Sequence, residues 1–269
     1  MFNYDTDYEI IISKTTEILD IDKYIILIDN KDMKIIRKFI LFIIILIIIA
    51  ILCLTFYGYI YYKQTINKEP LETKVNDIRS DFTYVKKEQL PEYYVNAVVA
   101  VEDRRYYSHG PVDYIGILRA IVSNIRQQSF EEGGSTITQQ VAENLYYINR
   151  ENPVKRKVAE CFTAIELEKK YSKDEILEMY VNIIYFGSGY YGISEASEGY
   201  LKKKVEDINL GEAAMLAGLP NAPSAYSPRV NKDYCKSRTE KVLKSLLNNK
   251  YITQEQYDSV DLSFIDEIN

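Results

Sequence analysis

The segment Gly133–Gln140 reads GGSTITQQ and is the most informative stretch of the chain. Two glycines allow the backbone to turn, and Ser135 is a residue type preferred at a helix N-cap. Thr136 and Gln140 lie four residues apart, so a helix that begins here presents both on one face. A tight turn followed by an uncharged helix start, rich in hydroxyl and amide groups, suits a polar ligand that carries phosphate or sugar. A plain capping turn is the alternative interpretation.

Composition excludes several classes of protein. The 269 residues suggest one or two domains, and a net charge of −6 lacks the basic bias of a nucleic-acid-binding protein. A single histidine, His109, excludes a His-rich metal site. The spacings of Cys53, Cys161 and Cys235 match no zinc or redox motif, and a disulfide between Cys161 and Cys235 stays open.

An uncharged segment over residues 39–62 is dominated by Ile, Leu and Phe and is long enough to cross a bilayer. It begins too late and is too long for a cleaved signal peptide, so we predict a transmembrane anchor. Tyrosines crowd its C-terminal end, as expected at a membrane interface: Tyr57, Tyr59, Tyr61 and Tyr62. Basic residues precede it and predict a cytoplasmic N-terminus and an extracytoplasmic domain: Lys31, Lys34, Arg37 and Lys38.

The anchor divides the chain into regions. Residues 1–38 form a short cytoplasmic segment without an assigned role, in which Tyr24–Ile28 suits a strand or a small amphipathic helix. Residues 63–90 are charged, contain Pro70 and show no clear periodicity, so we predict a stalk. The compact domain is expected over residues 91–269.

Helical signals dominate that domain, while alternating strand patterns are scarce, so the predicted fold class is mainly α. Residues 115–125 are amphipathic at helical spacing. Helices are predicted to start at Pro91, after Ser135, and at Pro153, where Asn152 is the cap. Capping boxes predict two further starts at Ser172–Glu175 and Thr253–Gln256. Another helix is predicted over Gly211–Ala217. Loops are predicted at Gly187–Gly189 and Pro220–Pro223.

Candidate catalytic chemistry begins at Glu102. This carboxylate follows the apolar helix end Val98–Val101, and desolvation there would raise its pKa and make it a usable acid or base. A solvated helix C-terminus is the alternative. Tyr106 packs or lines a groove in this interpretation, and a lone histidine such as His109 is more often structural than catalytic.

A second constellation combines Arg156, Lys157 and Glu160. Arg156 and Glu160 stand one helical turn apart, which fits either an ordinary surface ion pair or a cation cluster for phosphate beside a second carboxylate.

Together these motifs resemble the peptidoglycan glycosyltransferases, that is, the transglycosylase module of class A penicillin-binding proteins and its monofunctional relatives. The resemblance covers residues 75–260. The motifs that carry it occur in order: Glu102-Asp103-x-x-Tyr106-x-x-His109, Gly133–Gln140, Arg156-Lys157-x-x-Glu160, Ile176–Gly187 and Ala214–Pro228.

The resemblance implies a mainly α, lysozyme-like fold with two lobes around a cleft at the outer membrane face. It implies polymerisation of lipid II into glycan strands: the 4-hydroxyl of an incoming lipid II attacks the anomeric carbon of the growing lipid-linked chain with inversion. The implied partners are lipid II, the lipid-linked glycan, the membrane, and cell-wall synthesis or division proteins.

By motif position, Glu102 is the general base and Glu160 the second catalytic carboxylate, which orients the donor or leaving group. The remaining residues that the resemblance assigns to the substrate site are Asp103, Tyr106, His109, Ser135, Thr136, Gln139, Gln140, Arg156 and Lys157. Asp103 and His109 would support the base and its loop, while Arg156 and Lys157 would face the pyrophosphate.

The chain departs from the family pattern at two positions. The family has Lys where this chain has Glu143, which replaces a phosphate-binding cation with an anion on the face that holds Gln140. Arg150, Lys155 or a divalent cation such as Mg²⁺ or Mn²⁺ would have to compensate, or activity is weak. Gly110-Pro111 also shifts the flexible point of the loop after His109 by one residue.

No Ser-x-x-Lys occurs in the chain, so the penicillin-binding transpeptidase motif is missing and we expect a monofunctional glycosyltransferase. One alternative is a lytic muramidase, which also uses a glutamate on a lysozyme-like fold. A degenerate, non-catalytic cell-wall scaffold is the other, and Glu143 is the best support for it.

Overall fold

The structure, a computed structural model, describes residues 30–127, 133–148 and 152–269. The predicted segment Tyr24–Ile28 lies outside the described residues. The chain divides into a first unit that ends at Phe56 and a second over Tyr57–Asn269.

The first unit is described by the N-terminal part of one long helix, α1 (Asn30–Lys68). Within it, Met33–Lys68 is long and apolar enough to cross a membrane, and its most apolar 18-residue window has a mean hydropathy of 3.5. Its Ile, Leu and Phe side chains are exposed all round, which no soluble helix tolerates without a partner. The helix therefore has the length and surface of the predicted anchor.

The second unit is built almost entirely of helices that pack around one apolar core, as the periodicity predicted. The helices after α1 are α2 (Leu71–Arg79), α3 (Glu92–Glu102), α4 (Tyr114–Gln127), α5 (Ile137–Tyr146), α6 (Pro153–Lys170), α7 (Lys173–Ile183), α8 (Gly192–Leu201), α9 (Leu210–Gly218), α10 (Pro223–Tyr226), α11 (Lys232–Asn248), α12 (Gln254–Asp258) and α13 (Phe264–Glu267).

Several helix starts have the predicted caps. The side chain of Asn152 accepts a hydrogen bond from the Lys155 amide ahead of Pro153, and Ser172 and Glu175 form a reciprocal capping box. Thr253 and Gln256 form the same box at α12. Each cap satisfies amides that the first helical turn leaves without a partner.

One small hairpin interrupts the helices at a position that the sequence suggested was only a loop. Strand β1 (Tyr185–Gly187) pairs antiparallel with β2 (Tyr190–Tyr191). Gly187 and Gly189 both have a φ near +90°, which a glycine adopts without strain, and this closes the turn between the two strands. Strands of three and two residues are too short to show alternation in the sequence.

The predicted stalk, residues 63–90, is partly a component of the domain. Leu71 and Val75 of α2 are fully buried, and Val85 and Leu90 join the same core. The backbone amide of Val85 donates to Asn182 of α7. Charged residues on the outer face of α2 hid these few inward positions in the sequence.

The C-terminal end of α1 packs against α6 within the second unit. A Cβ atom on Gly58 would lie 2.4 Å from the Val158 side chain, so the two helices approach closely there. The Lys155 ammonium lies 4.7 Å from the centre of the Tyr57 ring and 4.0 Å from that of Tyr61, in cation–π geometry. This contact joins the end of the anchor to the helix that carries Arg156 and Lys157.

Candidate functional site

Glu102 is the last residue of α3. The helix before it is apolar, so the Glu102 carboxylate lies at the edge of the core. Its Oε2 accepts a hydrogen bond of 2.8 Å from Gln140 Nε2 on α5. Its Oε1 is buried and has no hydrogen-bond partner among the described residues. Gln140 thus orients one oxygen of the carboxylate and leaves the other available.

Burial controls the protonation of Glu102. Desolvation raises the pKa of this carboxyl above its ordinary value, while the Gln140 hydrogen bond and the charge of Arg238 on α11 act in the opposite direction. A raised pKa is the condition for a carboxylate to serve as a proton acceptor near neutral pH. The position of Glu102 after Val98–Val101 therefore has the effect that the sequence predicted.

Asp103, next to Glu102, connects three segments. Its Oδ1 lies 2.6 Å from His109 Nε2, and its Oδ2 accepts a hydrogen bond of 3.2 Å from the amide of Ile137, the first residue of α5. His109 Nδ1 in turn lies 2.5 Å from the Gly110 carbonyl oxygen. His109 therefore has a defined position although Gly110 is shifted by one residue from the family pattern. Asp103 and His109 both hold the loop that follows Glu102.

The GGST turn differs from expectation in its cap. Thr136, and not Ser135, is the N-cap of α5, because its hydroxyl accepts from the Gln139 amide while Gln139 Oε1 accepts from the Thr136 amide. Ser135 instead accepts a hydrogen bond of 2.7 Å from Lys157 Nζ. The turn is therefore tied to α6.

These contacts correct two predicted substrate contacts. Thr136 and Gln139 are buried, and the Thr136 hydroxyl also donates to the Pro111 carbonyl. Gln139 Nε2 donates to Cys161 Sγ. The polar atoms of both residues are engaged in holding the turn, so they are not free to contact a ligand.

Cys161 is a free thiol, as is Cys235.

Tyr106 is also a structural residue. Its ring is fully buried, and its hydroxyl donates to the Lys173 carbonyl at the start of α7. Of the two alternatives that the sequence left open, the packed ring is therefore correct, and the groove-lining one is wrong.

The second carboxylate, Glu160, is fully buried in α6 between two cations. Its Oε1 lies 3.1 Å from Arg156 Nε and its Oε2 lies 2.8 Å from Lys157 Nζ. Burial raises the pKa of Glu160, while the Lys157 ammonium acts against that rise. Because Glu160 has no solvent exposure, the pair is more than the surface ion pair considered from the sequence.

Glu143 joins this cluster. Its Oε1 lies 3.3 Å from Arg156 Nη2, so Arg156 is held between two carboxylates. Arg150, one of the suggested compensating cations, lies outside the described residues, and the Lys155 ammonium is directed at the tyrosines of α1. The cluster therefore contains two cations and two carboxylates: Arg156, Lys157, Glu143 and Glu160.

A cleft of about 460 Å³ opens on the other side of Glu102. Five basic side chains line it: Arg104, Arg119, Arg238, Lys241 and Lys244. No ion pair is found for any of them within the described ranges, although the chain as a whole is acidic. An unneutralised basic cleft next to a buried carboxylate is suited to an anionic substrate.

The sequence analysis did not identify this basic cleft. Its signal lies on α11, where Arg238, Lys241, Ser245 and Asn248 recur every three or four residues and, with the neighbouring Lys244, share one helix face. Such a stripe is indistinguishable from a solvated helix face until the fold brings it beside Glu102.

Six buried side-chain polar atoms in the described part of the chain have no hydrogen-bond partner, and all belong to the surroundings of the two carboxylates. They are Tyr94 Oη, Tyr180 Oη, Glu102 Oε1, Arg156 Nε and both carboxylate oxygens of Glu160. The last three of these atoms lie in the ion pairs of Glu160 with Arg156 and Lys157, so Tyr94 Oη, Tyr180 Oη and Glu102 Oε1 are the ones without a partner among the described residues. Since buried polar atoms normally find partners, their concentration around Glu102 is typical of a functional site.

Comparison with known proteins agrees with this geometry. The transglycosylase family model matches residues 68–247. Penicillin-binding protein 1A of Neisseria lactamica is 48% identical over 180 residues, which cover 67% of this chain and 22% of the relative. The Vibrio cholerae protein of the same name is 38% identical over 245 residues, covering 84% of this chain and 29% of the relative.

The crystal structure of penicillin-binding protein 1A from Haemophilus influenzae aligns with a TM-score of 0.38 and 23% identity, covering 65% of this chain and 16% of that one. The chain thus spans under a third of the length of these relatives. It belongs to the transglycosylase family and carries a peptidoglycan transglycosylase domain of the lysozyme-like, all-α fold.

Proposed function

We propose that this protein is a membrane-anchored peptidoglycan glycosyltransferase that polymerises lipid II, with Glu102 as the general base. The observation that carries the proposal is the carboxylate of Glu102: Gln140 donates to one oxygen, and the other oxygen is buried without a hydrogen-bond partner among the described residues. Family membership and the basic cleft beside it support the same function.

In the proposed reaction, Glu102 accepts the proton of the acceptor 4-hydroxyl. The resulting oxygen attacks the anomeric carbon of the lipid-linked glycan, a new glycosidic bond forms with inversion, and the bond to the lipid pyrophosphate breaks. A base in a desolvated site is effective because its pKa approaches that of the working solution.

The anionic pyrophosphates require positive charge on both sides of Glu102. We assign Arg156 and Lys157, with Ser135 and Glu160 holding Lys157, to one pyrophosphate. We assign the cleft cations, including Lys241 and Lys244, to the other lipid-linked substrate. Developing charge on a leaving pyrophosphate is stabilised by such prearranged cations.

A divalent ion such as Mg²⁺ or Mn²⁺ at the first cluster would take a carboxylate oxygen of Glu143, which is partly exposed beside Arg156, as a ligand. A bound divalent ion would supply positive charge for a pyrophosphate at the position where this chain has an anion.

Localisation follows from the same proposal. With basic residues before the anchor, the N-terminus would lie in the cytoplasm and the domain outside, where lipid II is consumed. Cell-wall synthesis or division proteins remain proposed partners.

The test is polymerisation of labelled lipid II by the purified full chain in detergent, with and without Mg²⁺ or Mn²⁺, with products separated on a gel. We expect Glu102→Gln to lower the rate by about 100- to 10,000-fold, the usual contribution of a general base. Glu255→Gln, an exposed carboxylate on α12, is the control and should leave the rate unchanged.

Two outcomes would contradict the proposal. Equal rates for Glu102→Gln and the parent chain would favour a scaffold. Release of 1,6-anhydro sugars from purified sacculi, without polymer formation from lipid II, would favour a lytic enzyme.

A further inference from the structure

Two tyrosines share the buried surroundings of Glu102. Tyr94 lies two helical turns before Glu102 on α3, and Tyr180 is on α7. Both rings are essentially without solvent exposure. Neither hydroxyl has a hydrogen-bond partner among the described residues, although each carries a proton to donate.

Both hydroxyls lie within electrostatic range of the carboxylate. The charge of Glu102 contributes to the raised pKa of Tyr94 and of Tyr180, after the larger effect of burial itself. The two phenols also influence each other electrostatically, Tyr94 shares α3 with Glu102, and the unbonded atoms of all three residues are buried.

The three unbonded atoms complement one another. Glu102 Oε1 is an acceptor without a donor, while the hydroxyls of Tyr94 and Tyr180 are donors without an acceptor. One oxygen of an ionised carboxylate accepts two hydrogen bonds, so its capacity equals the number of hydroxyls available. A buried hydroxyl without a hydrogen bond destabilises the folded state, and phenylalanine at the same position would avoid this cost. The presence of tyrosine at both positions therefore indicates that each hydroxyl has a function.

We propose that Tyr94 and Tyr180 are positioning residues whose hydroxyls donate to Glu102 Oε1, directly or through one bound water, when that carboxylate is ionised. The inference rests on the proposed role of Glu102 as base. The hydroxyls favour the anion that can accept a proton, although burial disfavours it.

The other groups that face Glu102 act on the same equilibrium. Gln140 on α5 and Arg238 on α11 favour the anion, and the adjacent Asp103 disfavours it. Arg104, Arg119, Lys241 and Lys244 line the cleft on the open side and bring further positive charge. None of these groups donates a hydrogen bond to Glu102 Oε1, so the two tyrosine hydroxyls are the donors that we propose for this oxygen.

Thermal unfolding of Tyr94→Phe and Tyr180→Phe as a function of pH tests the inference without relying on activity. At about pH 4.5 Glu102 is protonated in the folded chain, because its pKa is raised, and the variants should unfold within about 1 °C of the parent. At the high end of the pH series, where the carboxylate has become ionised and has lost a donor, we expect Tm to fall by roughly 3–6 °C.

Tyr200→Phe is the matched control. Tyr200 is buried on α8, and its hydroxyl is already bonded to the Phe186 carbonyl at 3.1 Å. Its loss should change Tm by the same amount at both pH values. A pH-independent effect at Tyr94 and Tyr180, or a gain in Tm at every pH, would overturn the inference.

The rate profile supplies a second readout in the lipid II assay. Each Phe variant should shift the acidic limb of kcat/KM upward by about one pH unit and regain most of the parent rate at high pH. A uniform loss of rate without a shift would contradict the inference. If the chain does not polymerise lipid II at all, the proposed function fails, while the unfolding experiment still decides the role of the tyrosines.

Discussion

Glu143 is the residue with the largest expected effect on the charge of the site. It lies 3.3 Å from Arg156 Nη2 while Glu160 lies 3.1 Å from Arg156 Nε, so the guanidinium that we propose for the pyrophosphate is shared between two carboxylates. A dianionic ligand must compete with both of them for the same cation. For this reason we expect a cation at position 143 to suit a pyrophosphate better than Glu143 does.

We therefore predict that Glu143→Lys raises polymerisation of lipid II several-fold and lowers the dependence of the rate on Mg²⁺ or Mn²⁺. Removal of the carboxylate frees Arg156, and the new ammonium adds a cation for the pyrophosphate. The rate is measured in the gel assay across a metal titration.

Glu143→Gln separates the two contributions, since it removes the anion without adding a cation, and should fall between the parent chain and Glu143→Lys. An unchanged or lower rate for Glu143→Lys would show that Glu143 does not face the leaving group.

Single residues show where sequence reasoning succeeded and where it could not. Glu102 lies at a helix end and Glu160 lies one helical turn after Arg156, as their motifs predicted. Such positions depend on residues that are close in sequence, so a short motif is enough to predict them. Thr136 and Gln139 were assigned to a ligand although their polar atoms bond to each other, and only coordinates distinguish an engaged hydroxyl from a free one. Tyr94 had no sequence signal at all, since a buried tyrosine resembles any other apolar core residue.

At the level of elements, α11 contributes more to the site than its sequence suggests. Its inner face packs on the core through Val242, Leu243 and Leu246, while Lys241 and Lys244 of the adjoining face line the cleft. Helical periodicity predicts the packed face. The function of the basic face depends on contacts with α3 and α9, which are distant in sequence.

We predict that Lys241→Ala combined with Lys244→Ala raises the KM for lipid II by roughly 10-fold with little change in kcat. Each lost cation weakens attraction to an anionic substrate before the reaction and should leave the environment of Glu102 intact. Initial rates over a range of lipid II concentrations give both parameters.

The control for this double change is Lys169→Ala, an exposed lysine on α6 that lies outside the cleft. Equal KM values for the double variant and the parent chain would contradict the assignment of the cleft to a substrate.

Considered as a whole, the molecule exposes a second apolar surface besides the anchor. Along α4, the large apolar side chains that the sequence pattern predicted to share one face remain exposed: Ile115, Leu118, Ile121, Val122 and Ile125. An apolar helix face of this kind either packs in a protein core or contacts lipid. The exposure of these residues favours contact with a lipid surface.

We predict that α4 enters the lipid surface. The chain contains no tryptophan, so Leu118→Trp introduces a single tryptophan, whose emission can be excited apart from that of the tyrosines. In vesicles that contain brominated lipids its emission should be blue-shifted and strongly quenched.

Tyr234→Trp, an exposed position on α11 beside Lys232 and Asp233, is the matched control and should emit as in water. Equal quenching at both positions, or at neither, would refute the insertion of α4.

The close approach of Gly58 to Val158 also limits which residue can occupy position 58. A Cβ atom there would lie 2.4 Å from one side-chain carbon of Val158 and 2.6 Å from another, closer than real Cβ contacts allow. Because the valine side chain is short and branched, it has little freedom to move away. Any residue larger than glycine at position 58 would therefore push the end of α1 away from α6, the helix that carries Arg156 and Lys157.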